Sequence, residues 1–434
     1  MATIDYLEKE FEKLQATTGG QLSAFRQDAF TAFSRLGIPS SRNEEWKYTR
    51  VGLVFNKTFQ FSEDDGSRFT AADLTKLKLP GSDEANEIVF LNGRFSSTLS
   101  TLRSQGLTLL PLEEAAQGAH SEFVATHFAN SSKYLKDGIN AMSTAFLSGA
   151  IFLDVKKGAT IDHPVYIYNI SDAREFNVLS QPRSLIKVGE NAQVQLVETF
   201  VTIGSQESFT NQVMEMVVER DAITEYYKIQ NDVPNANQVS TTHIRQTGKS
   251  YTHAVTISLD GGMVRNNLNL VLDAPNCEAH MYGLYFQKGK THIDNHTVVD
   301  NVQPNCLSNE LYKGILTDSA TGVFNGKIFV RPLAQKTNAY QSNKNVLLSD
   351  TASVNTKPQL EIYADDVKCS HGCTIGQLDE EALFYLQSRG INEKRAKSML
   401  LHGFSSDILE KIKLTPIRAY VEGLIDQRLE FDKE

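Results

Sequence analysis

The alternation of apolar and polar positions changes character twice along the chain. Over the first 40 residues the apolar positions fall at helical spacing. Leu7, Phe11 and Leu14 form one such set and Leu22, Phe25, Ala29 and Phe33 another, with Gly37 and Pro39 as a helix stop. Residues 41–150 are mixed: Glu87–Gly93 reads as a strand running into a turn, and Asn140–Leu147 as a short helix. From Ile151 to Val367 strand-like runs follow one another, among them Val165–Tyr168, Val194–Val201, Val213–Val218 and the alternating Leu268, Leu270 and Leu272. No long amphipathic helix interrupts this stretch, which excludes a doubly wound α/β domain, where a helix must separate the strands. After Gly376 helical spacing returns. Asp379, Glu380 and Glu381 open a helix that Gly390 ends; Asn392 caps a second, expected to run to His402 and close at Gly403; Thr415-Pro416 starts a third.

The β stretch carries a weak repeat: a polar or acidic turn, a small residue, then a new strand. It occurs at Gly189–Ala192, Glu219–Ala222, Asp273–Cys277, Asp318–Ala320 and Asp350–Ala352, and Ala192 to Ala222 spans 222 − 192 = 30 residues. Such spacing suits a β-solenoid, in which each coil stacks on the last; a β-sandwich array is the alternative. The expected layout is a helical and mixed part over 1–150, a β core over 151–370 and a helical part over 371–434.

Composition narrows the function classes. The chain has 434 residues, with 43 basic against 52 acidic side chains and a net charge of −9, so it lacks the basic balance of a nucleic-acid binder. No apolar run approaches the length of a membrane span, and the start of the chain lacks the basic and apolar regions of a signal peptide, so a cytoplasmic protein is expected. Four cysteines are too few for a disulfide framework.

Candidate chemistry is sparse. Gly289-Lys290-Thr291 resembles the end of a phosphate loop, but Leu284 stands where the loop needs glycine, and no helix follows; Gly248-Lys249-Ser250 fails in the same way. His292, Asp294 and His296 share one face of a strand and could form an iron-binding triad, as in an independent metal-dependent enzyme, although a polar outer face with hydrogen-bonded histidines is the favoured reading. Cys369, His371 and Cys373 follow the strand Leu360–Ala364 and offer soft and borderline metal donors, but no second cysteine pair exists to close a zinc site. A site completed by another chain stays open. A carbohydrate-active solenoid would need aromatic platforms, and the chain has one tryptophan, Trp46, outside the β region.

Longer segments carry a resemblance. Asp365–Gly372 runs into Thr374–Asp379 and Leu383–Ile391; upstream stand Ser308–Gly314, Phe324–Ile328, Ala334–Gln341 and Lys357–Ile362, and near the start Arg42–Thr49. Together they resemble the SufB/SufD family of iron–sulfur cluster assembly proteins over nearly the whole chain. The resemblance implies a mostly β fold: a right-handed parallel β-helix flanked by N-terminal and C-terminal α-helical parts. It implies a non-enzymatic scaffold subunit that pairs with a SufB-like protein and docks SufC, an ABC-type ATPase that would carry the nucleotide chemistry. The stretch Gln341–Leu348 holds no cysteine, where SufB-type chains carry one, which favours the SufD type. By position His371 then lies at the cluster-assembly interface as a transient metal ligand, with Cys369 beside it, and Cys373 is assigned a structural role. Leu383, Phe384, Tyr385, Leu386 and Arg389 are the expected contacts to the ATPase. No cofactor is expected to stay on the isolated chain, which could form a homodimer; an iron–sulfur cluster would be held transiently in the complex. The second reading is a purely architectural partner that stabilises SufB and positions SufC.

Overall fold

The computed structural model describes residues 2–17, 20, 22–61 and 68–429. Strands make up 41% of the chain and wind into a β-solenoid of about eight turns. Each coil gives one strand to each of two sheets, so hydrogen-bonded neighbours are separated in sequence by one strand of the opposite sheet. The parallel ladder of one sheet runs from Asn86–Leu91 through Val165–Asp172 and six further strands to Lys368–Gly376; the other sheet runs through Met263–Leu272, His292–Asn301 and Thr321–Val330 to Ser353–Ile362. Stacking is parallel and in register: Glu278 pairs with Leu307, Leu307 with Asn338, and Asn338 with Lys368. This pairing decides for the solenoid over the sandwich array. No helix lies between Gly138–Ala145 and Glu380–Ser388.

The repeat is explained at the corners. Asn191, Asp221, Asn276, Asn305 and Asp318 all adopt positive φ, between 54° and 62°. Asn and Asp tolerate this left-handed conformation better than other side chains, because their short polar groups bond locally. After the first four, Ala192, Ala222, Cys277 and Cys306 turn into the interior, where they are buried. Small residues suit these positions because the corner narrows the coil. The phosphate-loop look-alike is such a connection: Gly289 has φ +66° in the turn between Glu278–Gln287 and His292–Asn301.

Buried apolar clusters hold the chain together. Inside the solenoid, Leu196, Met214, Ile244, Leu268, Leu270, Ile293 and Ile328 form continuous rows. The helices Ala2–Thr17 and Ser23–Leu36 belong to a second cluster, in which Phe33, Trp46, Phe55 and Phe146 pack toward Phe209 on the outer face of one sheet. The C-terminal helices cover the outer face of the other sheet, with Leu401, Ile408, Ile417, Val421 and Ile425 against Tyr227, Val255, Ile257 and Leu284.

Several expectations are corrected. The parallel ladder starts within 1–150, at Asn86–Leu91, which pairs in register with Val165–Asp172. The strand Lys368–Gly376 runs through the expected boundary between 370 and 371. The second C-terminal helix spans Glu393–Leu409 and does not stop at Gly403. An interior glycine costs about 1 kcal/mol, whereas each fully buried Leu or Ile contributes about 1.5–3 kcal/mol, and Ile408 and Leu409 beyond Gly403 are both buried. Residues 430–434 of the expected helical part lie outside the described residues. No helix among the described residues is long and apolar enough to cross a membrane.

Candidate functional site at the open end of the solenoid

The parity of the rows decides which side chains of the last coil face inward. Ala339 belongs to the interior cluster and is the register partner of Cys369, which packs against the same cluster. Counting by twos, His371 and Cys373 stand on the inward row, over Gln341 and Asn343. Ser353–Ile362 and Lys368–Gly376 are the final strands of their sheets, so they present an unpaired edge, and most of the side chains of Lys368–Gly376 are exposed. His371 and Cys373 are exposed at this mouth and Cys369 is half-buried, its thiol pushed up by burial. Cys373, read from the sequence as structural, has an exposed thiol.

Thiol and imidazole are the donor types that suit iron and iron–sulfur species. Side chains two residues apart on a strand are separated by about 6.6–6.8 Å along it, so His371 can share an ion with either neighbour, while Cys369 and Cys373 are too far apart to chelate one together. Among the described residues no three His, Cys, Asp or Glu side chains converge as a metal group.

Below the mouth the interior row is polar. Asn343 Nδ2 donates to Tyr285 Oη at 3.1 Å and to the Tyr312 carbonyl at 3.2 Å, and Asn345 Nδ2 donates to Asn343 Oδ1 at 2.7 Å. Gln341 Nε2 donates to Glu310 Oε2 at 2.7 Å. Burial pushes the fully enclosed Glu310 carboxyl up to about 7, outweighing hydrogen bonds from Thr297 and Gln341 that favour its ionised form. Deeper in, Glu198 and Lys228 are register partners; burial pushes Glu198 up and Lys228 down to about 8. Sequence reasoning missed Glu310 and Gln341 as individuals, although both lie in segments that carry the family resemblance. Their alternation with Leu311 and Tyr340 was the available signal.

The other metal candidate resolves differently. His292, Asp294 and His296 do share the outer face of their strand, and the segment Arg42–Thr49 lies across it. Thr49 Oγ1 is 2.8 Å from His292 Nε2 and also donates to Asp294. Arg265 Nη1 is 3.0 Å from Asp294 Oδ2, and His296 Nε2 is 3.0 Å from Asp294 Oδ1. His296 Nδ1 lies 3.5 Å from Glu45, and Trp46, buried, stacks 3.9 Å beneath the Arg265 guanidinium. These contacts fasten the N-terminal segment to the solenoid; they engage the groups a metal would need.

The expected partner-contact residues lie together. Leu383, Phe384, Tyr385 and Leu386 are on the helix Glu380–Ser388, which buries none of its residues, and Arg389 follows it, 5.2 Å from the Tyr385 ring. Phe384 is 71% exposed.

The fold is a parallel solenoid with helical flanks and a row of two thiols and an imidazole at its free end. Sequence comparison gives the family. The profile described as "SUF system FeS cluster assembly, SufBD core domain" matches residues 168–404, and that of the SufBD protein N-terminal region matches residues 2–167. The chain belongs to the SufBD family of the SUF iron–sulfur cluster assembly system. It is 28% identical to an iron–sulfur cluster assembly SufBD family protein of Synechocystis, covering 97% of this chain and 94% of that protein. It is 27% identical to the iron–sulfur cluster assembly protein SufD of Escherichia coli, covering 97% and 96%. The corresponding figures for SufD of Bacillus subtilis are 25%, 76% and 75%.

Proposed function

We propose that this chain is the SufD-type subunit of a cytoplasmic SUF scaffold. It pairs through its open end with a SufB-like chain, and His371 supplies a ligand to iron, sulfide or a forming cluster at that interface. The observation that carries this reading is the inward row Cys369–His371–Cys373 on an unpaired strand edge, with His371 and Cys373 exposed and Cys369 half-buried. An edge of this kind is a template for strand pairing, and the partial donor set is completed by a second chain. The same edge would pair two copies when the chain is alone. The cluster is cargo, passed on once built. The chain itself does no catalysis; ATP hydrolysis belongs to a SufC-like ATPase that docks on Leu383, Phe384, Tyr385, Leu386 and Arg389.

The test is co-expression of the tagged chain with the SufB and SufC homologues of its organism, with iron and sulfide assayed on the purified complex. His371→Ala is expected to give an intact complex poorer in cluster. An intact complex with unchanged cluster would leave the chain as an architectural partner. Failure to recover either homologue would remove the pairing reading.

A further inference from the structure

The rungs beneath the mouth are not alike. Under Cys373 the floor is closed: Asn343, Asn345 and Tyr285 bond one another, and the Tyr285 hydroxyl donates to Asn345 Oδ1. Under His371 the floor is open. Gln341 is the register partner of both His371 and Glu310 and lies between them. Its Nε2 is committed to Glu310, while Gln341 Oε1 is buried and has no hydrogen-bond partner. The pair is given room from across the coil: a Cβ at Gly326 would sit 2.8 Å from Gln341 Cδ, so glycine there leaves the space the amide fills. A buried acceptor without a donor costs free energy, which a donor arriving from the mouth recovers.

We propose that Gln341, braced by Glu310, is the positioning residue for His371: its free amide oxygen accepts the ring N–H, which leaves the other imidazole nitrogen unprotonated and turned out of the mouth toward the metal. This rests on the ligand role given to His371 above. A metal-binding histidine commonly donates its second nitrogen to a carbonyl or carboxylate, which fixes both tautomer and ring orientation. In the isolated chain His371 is exposed and the oxygen waits unpaired; the bond forms when a facing chain closes the mouth over the ring.

The test uses the full chain in complex with its SufB- and SufC-like partners and three variants. Gln341→Met keeps the side chain's length and removes the oxygen. It is expected to leave complex yield by size-exclusion chromatography unchanged and to lower iron and sulfide content about tenfold, the lower end for loss of such a partner. In the metal-free complex labelled with 15N-histidine, the His371 nitrogens are expected to move from the shifts of one tautomer to those of a mixture. Glu310→Gln still accepts from Gln341 Nε2 and is expected to keep both readouts near wild type. Wild-type cluster content and an unchanged tautomer in Gln341→Met, with cluster lost in His371→Ala, would overturn the positioning role while sparing the ligand role. Loss of the complex in Gln341→Met alone would also overturn it, assigning the amide to folding. Unchanged cluster content in His371→Ala would overturn the ligand role, and the positioning role with it.

Discussion

Arg265 and Asp294 are register partners on adjacent strands, 3.0 Å apart and each 1% exposed. Neither charge has access to water, so each depends on the other and on the segment lying over them, from which Thr49, Glu45 and Trp46 complete the contacts. Removing one partner of a buried ion pair costs about 3–5 kcal/mol, because the other charge is left uncompensated. Asp294→Asn is therefore expected to lower stability by about that amount in urea unfolding. Replacing both, Arg265→Met with Asp294→Leu, is expected to cost less than either single change, since the uncompensated charge is gone. A double variant no more stable than the singles would show that the N-terminal segment is held by something else.

The same cluster makes acid loosening predictable. The hydrogen bond from His296 is the main force holding the Glu45 carboxyl down, to about 2, against the opposing effect of its partial burial. Desolvation raises the Asp294 carboxyl, but His296 and Arg265 outweigh it and hold the group well below the usual carboxylate range. Both groups have a lower pKa folded than unfolded, so their stabilisation is fully present above the unfolded value of about 4 and fades as pH falls through and below it. Protection of residues 42–49 from hydrogen exchange, taken relative to the intrinsic rate at each pH, is expected to fall between about pH 5 and pH 2 ahead of that of the solenoid strands. Protection that stays level over this range while the strands lose theirs first would contradict the assignment.

The corner positions predict a residue-specific cost. Asp221 has φ +58° at the turn before buried Ala222. A β-branched side chain in this conformation is strained by about 1–2 kcal/mol, while glycine is not. Asp221→Val is expected to lower the unfolding midpoint and Asp221→Gly to leave it nearly unchanged. Equal losses in the two variants would place the cost in the lost carboxylate.

Exposure separates two helices that look alike in sequence. Phe384→Ser, on the helix that buries nothing, is expected to change stability by less than about 0.5 kcal/mol. Leu401→Ala, on the helix packed against the solenoid, is expected to cost about 2–5 kcal/mol. Calorimetry of the two variants measures both. Recovery of the proposed SufC-like partner is expected to fall with Phe384→Ser, as exposed aromatics often dominate an interface.

Much of this molecule is legible from neighbouring residues. Asn392 caps its helix by accepting from the Arg395 amide, and Asp379 does the same for Glu381 and Ala382. The acidic turn followed by a small residue marks the coil corners because it states a local backbone requirement. Gly403 misled for the complementary reason: a glycine signals a stop only where tertiary packing does not carry the helix onward, and Ile408 and Leu409 are buried beyond it. The outer-face histidines had the right parity, but their partners Thr49 and Glu45 lie about two hundred and fifty positions away, beyond the reach of any spacing rule.

The sequence by itself determined the alternation of rows, the corners, the caps and the residues that carry the family likeness. It did not determine which row of each strand faces the interior. Strands buried on both faces read as nearly continuous apolar runs, so period-2 alternation loses its inside and outside. Only the stacking of the coils, with Ala339 under Cys369 and Gln341 between Glu310 and His371, placed an imidazole over an unpaired amide oxygen at the open end. That juxtaposition exists because parallel register brings together residues about thirty positions apart, a distance set by the length of each coil and not by local chemistry.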